Sequence, residues 1–245
     1  SVEYNFNCSG LSFSPRGILV SSQEGETIEC QKVIITGGGK TYPAFGSDGS
    51  TYEVARKLGH SIVEPVPSAV PLVVKDSLCQ VLQGQKLFAG AKSIIDGKEN
   101  NEVRGELLFT KYGLSGSCIL DVSEAISIAM NRHRASEVYV SIDMVPFMDV
   151  EQLRSELDRR ERAELPDEEM LAGILPNKCC LTLAGLFKKN DLDLAVNSLK
   201  SRRFKVTGTR GWNEAEFTAG GVDVNEVRPG TLESKYKSGI YFAGE

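Results

Sequence analysis

Apolar and polar residues alternate over residues 2–6, and residues 18–20 and 27–35 supply two more strand-like runs, with Gly10, Ser14-Pro15 and Gly17 as punctuation. Three such runs separated by turn residues predict an antiparallel meander. Its last part, Val33 to Ile35, is a short apolar run ending in Thr36 and three glycines, Gly37, Gly38 and Gly39, as a buried strand opening into a loop does. Helical spacing follows. Val54, Ala55 and Leu58 share one face of a helix predicted over 51–58, and Gly59 stands at its left-handed cap. Pro65, Pro67 and Pro71 then interrupt the chain and predict a boundary. Beyond them strands are predicted over 69–74, 86–95 and 103–109, the last two joined by a turn at 96–101. A helix with Ile119, Val122, Ile126 and Met130 on one face is predicted over 118–130, and a strand over 138–142.

The pattern changes near Asp149. Residues 150–203 are dominated by Glu, Arg, Leu and Lys and read as helices over 150–164, 167–175, 178–188 and 194–203, punctuated by Pro166, Pro176 and Asn190-Asp191. Strands resume over 204–207, 215–218 and 239–243. Strands, then helices, then strands imply nested insertion in a mixed α+β / α/β chain of several parts. Residues 1–65 and 216–245 form the outer domain, with its meander, glycine loop and helix. A β-barrel-like domain (66–148 and 204–215) interrupts it and carries a small helical subdomain (149–203).

Composition narrows the function classes. The 245 residues are 41% hydrophobic and 25% charged, as in an ordinary globular chain. A net charge of −5 and a pI near 5.3 predict no nucleic-acid surface, and the basic run 200–205 reads as a solvated helix end. No apolar stretch is long enough to span a bilayer and no signal peptide opens the chain, so a cytoplasmic protein without membrane contact is expected. The six cysteines form no C-x-x-C, and there are only two histidines, His60 and His133, so free thiols and no metal are expected. No Ser/His/Asp triad is evident, and His60 reads as a helix-end packing residue. Ser1 in place of methionine, and a stop at Glu245 directly after an apolar strand, predict a segment of a longer protein.

Two nucleotide motifs are excluded. Gly39-Lys40-Thr41 imitates the end of a P-loop, but Ile34 occupies the position of its first glycine and Pro43 interrupts the helix that should follow. No G-x-G-x-x-G occurs in the chain.

Five stretches occur in order: TGGGKTYP with GS, Tyr52 and LGH behind it, VPLVV (70–74), GELLFTKYGLSG (105–116), FKVTGTRGWNEAEFTAGGV (204–222) and ESKYKSGIYFAGE (233–245). Together they resemble the BaiN/YhiN-like bacterial flavoproteins, NAD(P)/FAD-dependent oxidoreductases, over nearly the whole chain. Departures are an extra glycine before Lys40, GSDGST where the family tends to read GSTGDG, and Ser117 where proline is usual. The resemblance implies pieces of an FAD-binding, Rossmann-like domain around the insert. The first nucleotide-binding βαβ unit then lies upstream and further flavin-contacting chain downstream. FAD is the implied cofactor of the longer protein and is not expected to be retained by this segment; NAD(P)H is a candidate electron donor.

By the same resemblance, Thr36, Gly37 and Gly38 bring backbone to the cofactor, Tyr42 and Pro43 lie nearest the flavin, and the Gly220-Gly221 pair lines the isoalloxazine. Gly244 approaches the pyrophosphate region, and Glu245 accepts a hydrogen bond from a ribityl hydroxyl, a task that suits an acceptor-only carboxylate. The catalytic acid is unassigned, with Tyr42 the first residue to test. A small-molecule substrate is implied. The family branch with an assigned activity reduces steroid-like enones, yet no stretch here reads as a steroid pocket. The alternative is a non-catalytic module whose insert docks substrate or a partner. Substrate and oligomeric state are not legible.

Overall fold

The computed structural model describes residues 2–188 and 191–244. The chain divides into two compact units, one of Ser1–Val66 with Phe217–Glu245 and one of Pro67–Glu216.

The first unit opens on an antiparallel meander of β1 (Cys8–Ser14), β2 (Gly17–Ser22) and β3 (Thr27–Cys30). The strand predicted over 2–6 does not form. Asn5 sits at φ 61, a left-handed value incompatible with an extended run. β4 (Val33–Ile35) leaves the meander, and α1 (Ser50–Lys57) follows the glycine loop. Gly49 and Gly59, at φ 80 and 97, bracket that helix, conformations that favour glycine. β5 (Ile62–Ser68) forms across Pro65 and Pro67, where the prolines had suggested only a break. It belongs to a two-stranded sheet, whose free edges do not require every N–H to donate.

The second unit is built from β6 (Leu72–Val74), α2 (Ser77–Val81), β7 (Lys86–Ile95), β8 (Lys98–Glu99), β9 (Val103–Thr110), β10 (Gly113–Ser115), α3 (Ser117–Ser127), β11 (Val138–Asp143), α4 (Val150–Arg162), α5 (Asn177–Leu183), α6 (Leu192–Lys200) and β12 (Arg202–Thr209). Strands pair antiparallel in the order β11-β12-β6-β10-β9-β7, and β7 pairs back to β11, closing a six-stranded barrel. Closure removes the unpaired edges that open sheets must protect. Alternate residues of β9 and β11, with Phe204 and Val206 of β12, bury apolar side chains in one core. Cys118, Ile119, Val122 and Ile126 of α3 join it, and so do Leu153 and Leu157 of α4.

α4 starts on a reciprocal cap. Asp149 accepts the Gln152 N–H at 2.7 Å while its own N–H donates to Gln152 Oε1 at 2.9 Å. Lys200 ends α6 by donating to the Val145 and Met148 carbonyls and pairing with the buried Asp143 at 2.6 Å. The helix predicted over 167–175 shrinks to one 3-10 turn, Asp167–Glu169. Gly173 at φ 75 breaks it, and the Arg160 guanidinium takes the carbonyls of Glu169, Met170 and Ala172 that a helix would have used.

The chain then returns to the first unit through β13 (Phe217–Val222), the partner of β5, and β14 (Ile240–Phe242). β14 pairs parallel to β4, in register Ile240 with Val33 and Phe242 with Ile35. Ile18, Leu58 and Ile240 form this unit's small buried cluster. Among the described residues, no helix is long and apolar enough to cross a membrane, and no three His, Cys, Asp or Glu side chains are grouped to hold a metal ion.

Candidate functional site

The parallel pairing of β4 and β14 sets two chain segments side by side, and both run into glycine. Gly37 and Gly38 follow β4, and Gly244 follows β14. β13 brings Gly220 and Gly221 to the same place at φ 113 and 106, values that a side chain would strain. These five glycines line a cleft of about 620 Å³. Its remaining wall comes from Thr51, Tyr52 and Ala55 of α1 and from the strap 222–232, with Val222, Val224, Val227 and Leu232. Ile35 and Phe242 complete an apolar lining. Arg228 is the one charged residue among the described lining residues.

Close packing explains several of the glycines. A Cβ on Gly37 would overlap Thr51, and one on Gly39 would overlap Thr218 Oγ1. A Cβ on Gly221 would meet the Tyr52 ring at 3.3 Å. Thr218 Oγ1 accepts the Lys40 N–H at 2.9 Å, tying the glycine loop to β13 across 178 residues. Thr218 also hydrogen-bonds Tyr52. Burial raises the Tyr52 pKa above its ordinary value, and the Thr218 hydrogen bond opposes that rise.

The strap is held by a buried polar chain. Ser234 Oγ accepts the N–H groups of Tyr236 and Lys237, at 3.1 and 3.0 Å, so its own proton goes to His60 Nε2 at 2.8 Å. That leaves His60 Nδ1–H to donate to Glu226 Oε2 at 3.2 Å. Glu226 also accepts the Ser61 N–H at 2.8 Å, which holds its carboxyl below the usual carboxylate range. The His60 ring packs edge-on against Phe242, centroids 4.7 Å apart, directly behind the cleft. Serine, histidine and glutamate thus stand in the hydrogen-bonded order of a hydrolytic triad, which no spacing in the sequence displays. Ser234 is 2% exposed and its lone pairs are occupied, so the arrangement is a clamp and not a nucleophile.

Five of the residues singled out in the sequence meet at the cleft: Gly37, Gly38, Gly220, Gly221 and Gly244. Thr36 is exposed and outside the lining. Tyr42 and Pro43 also fall outside it, on an exposed 3-10 turn in which Tyr42 stacks only with Phe45, 6.3 Å away. Glu245 lies outside the described residues. Sequence reading passed over Tyr52 and the strap, and of the loop 218–222, which the resemblance places at the isoalloxazine, it put forward only the two glycines as site residues. For Tyr52 the available signal was its place one turn into a helix that begins at a glycine loop. The cysteines are free, and burial pushes the thiols of Cys79 and Cys118 up to about 12, too high for nucleophiles.

Comparison with known proteins adds three findings. The family described as HI0933-like protein barrel and H2TH domain matches residues 66–217, nearly the same stretch as the second compact unit. The 3-dehydro-bile acid delta(4,6)-reductase of Clostridium scindens is 32% identical over 96% of this chain and 60% of its own length. The ribosomal RNA dihydrouridine synthases of Escherichia coli and Haemophilus influenzae are 30% and 28% identical, over 90% and 89% of this chain and 55% and 54% of theirs. The chain therefore spans well under two thirds of these relatives. Two of them are named for ribosomal RNA, so the exclusion of nucleic acid drawn from the acidic pI does not stand. Net charge averages over a whole surface and leaves local patches undetermined.

Proposed function

We propose, from the premise that this chain belongs to the HI0933-like family, that its glycine-lined cleft is the flavin-facing part of an FAD-dependent oxidoreductase. The observation that carries this reading is the convergence of three glycine segments on one apolar cleft. A planar ring system needs walls without side chains, and the volume lies in the ordinary range for small-molecule sites. The residues present fit the group. Gly37, Gly38, Gly220 and Gly221 would offer backbone against a ring, Ile35, Val222 and Phe242 would exclude water, and Gly244 borders the same cleft; Glu245, next in the chain, is the acceptor we propose for a ribityl hydroxyl. A bound flavin would supply hydride chemistry there, and the protein would orient it.

The relatives' names share one reaction class. A 3-keto steroid diene and the uracil ring each carry a carbon–carbon double bond conjugated to a carbonyl, and saturation of such a bond is the activity we assign. A cytoplasmic, NAD(P)H-linked bacterial reductase acting on a small molecule or a nucleobase fits this reading. The longer protein should hold stoichiometric FAD. Residues 1–245 alone, with no G-x-G-x-x-G helix to face the pyrophosphate, should hold it weakly. Flavin absorbance after gel filtration of both proteins is the test, and a colourless longer protein overturns the assignment. Glu245→Ala in that protein should weaken FAD about tenfold or more, since a charge-assisted hydrogen bond contributes roughly 1.5–3 kcal/mol. An unchanged dissociation constant would make Gly244-Glu245 an ordinary strand end.

A further inference from the structure

We infer that Tyr52, seated by Thr218, is the proton donor of the cleft. Tyr52 is the one residue with a readily ionisable hydroxyl among the described lining residues, and its ring is half-buried. Glycines surround it. The ring faces Gly221, where a Cβ would stand 3.3 Å away, and Gly49, where a Cβ would come within 3.0 Å. A Cβ on Gly39 would lie 3.2 Å from the phenolic oxygen. Such packing fixes the ring while leaving it on the cleft wall.

The direction of the Thr218–Tyr52 hydrogen bond is part of the inference. Thr218 Oγ1 has one proton and accepts the Lys40 N–H at 2.9 Å. We assign its proton to Tyr52 Oη, the direction in which the contact lowers the tyrosine's pKa and favours the phenolate. With Thr218 as the donor in that pair, the Tyr52 proton is not committed to it. Burial keeps the phenol protonated at neutral pH, and the Thr218 hydroxyl stabilises the oxyanion left when the proton departs. Tyr42, the tyrosine the sequence brought forward for this role, lines no part of the cleft.

The inference rests on the flavin reading for its electrons, and the step balances with a reduced flavin as the two-electron donor. Hydride forms a C–H bond at the β-carbon of the conjugated double bond. The Oη–H bond of Tyr52 breaks and its proton forms the second C–H bond at the α-carbon. The tyrosinate regains a proton from water.

Two experiments decide it. In the chain alone, alkaline titration followed by tyrosinate absorbance should lose one late-ionising group in Tyr52→Phe. In Thr218→Val the same group should titrate at higher pH, because its phenolate has lost a donor. An unshifted midpoint in Thr218→Val overturns the hydrogen-bond direction, and the proposal with it. In the flavin-loaded longer protein, Tyr52→Phe should bind FAD and accept electrons from NAD(P)H as the wild type does. Its reoxidation by cyclohex-2-enone or uridine should slow about 10²–10⁴-fold, the usual reach of a positioned general acid. Equal slowing of both half-reactions, or lost FAD binding in the variant, would make Tyr52 a packing residue and overturn the proposal. So would a wild type that takes up FAD but passes electrons to neither probe. A wild type that takes up no FAD refutes the flavin reading instead, and the titration still reads the Tyr52–Thr218 pair.

Discussion

Residues 67–216 close a barrel around one continuous core in which Phe109, Phe204, Leu107 and Met144 are fully buried. Among its described residues, the unit formed by the two ends of the chain gathers three, Ile18, Leu58 and Ile240, into a buried cluster. It relies instead on directional contacts: the parallel β4–β14 pair, the Lys40–Thr218 bond and the Ser234–His60–Glu226 clamp. Dense packing leaves a unit little space for a ligand. Sparse packing held by a few hydrogen bonds leaves a cleft with defined walls, and stability there depends on single residues.

The contrast can be broken by mutation, starting with the barrel. Phe109→Ala should destabilise the barrel unit by about 3–5 kcal/mol, because it empties a core position that cannot collapse. Thermal unfolding of residues 67–216 is the readout, and a change under about 1 kcal/mol would mean that the core is loosely filled. Next comes the clamp. His60→Ala leaves the Glu226 carboxylate and the Ser234 hydroxyl without their partner and should cost about 1–3 kcal/mol. Faster amide exchange should appear over 223–239 and not in the barrel strands; exchange that rises everywhere would erase the distinction between the units.

A smaller effect comes from acid. The folded state holds Glu226 below its ordinary carboxylate range through the Ser61 N–H, with Tyr236 and His60 also donating. A depressed folded value stabilises above the unfolded pKa and is lost as pH falls through the folded one. The strap should therefore loosen on acidification before the barrel does. Glu226→Gln should flatten that dependence; an acid profile identical to wild type would assign the loosening to another group. The smallest effect is at the surface. Arg154 of α4 pairs with Asp193 of α6 in the open, both side chains more than half exposed. Arg154→Ala should change barrel-unit stability by only about 0–1 kcal/mol in denaturant titration.

What the sequence disclosed follows the same division. β7, β9 and β11 were legible because each is a strand-length run rich in apolar residues and bounded by turn residues. β10 was hidden, since three residues carry no period, and β5 was hidden by its prolines. The glycines of the cleft were legible because glycine reports directly on the backbone it permits. Tyr52 was not, because its role depends on a threonine 166 positions away in the chain. The clamp was hidden for the same reason: His60 finds Glu226 and Ser234 only after β14 has paired with β4. Local pattern reveals elements, and contacts between distant polar residues need the fold.

The barrel unit also begins and ends at one spot. Glu216 N–H donates to the Ala69 carbonyl at 3.1 Å, and Arg210 N–H to that of Pro71 at 2.9 Å. A cassette whose two termini are stitched together asks almost nothing of its host, which need only bridge the gap between β5 and β13. Such a segment can be lengthened, exchanged for another or removed and replaced by a short turn without stretching the chain on either side. A lineage built this way can vary the barrel unit while the unit made from the two chain ends keeps its sequence.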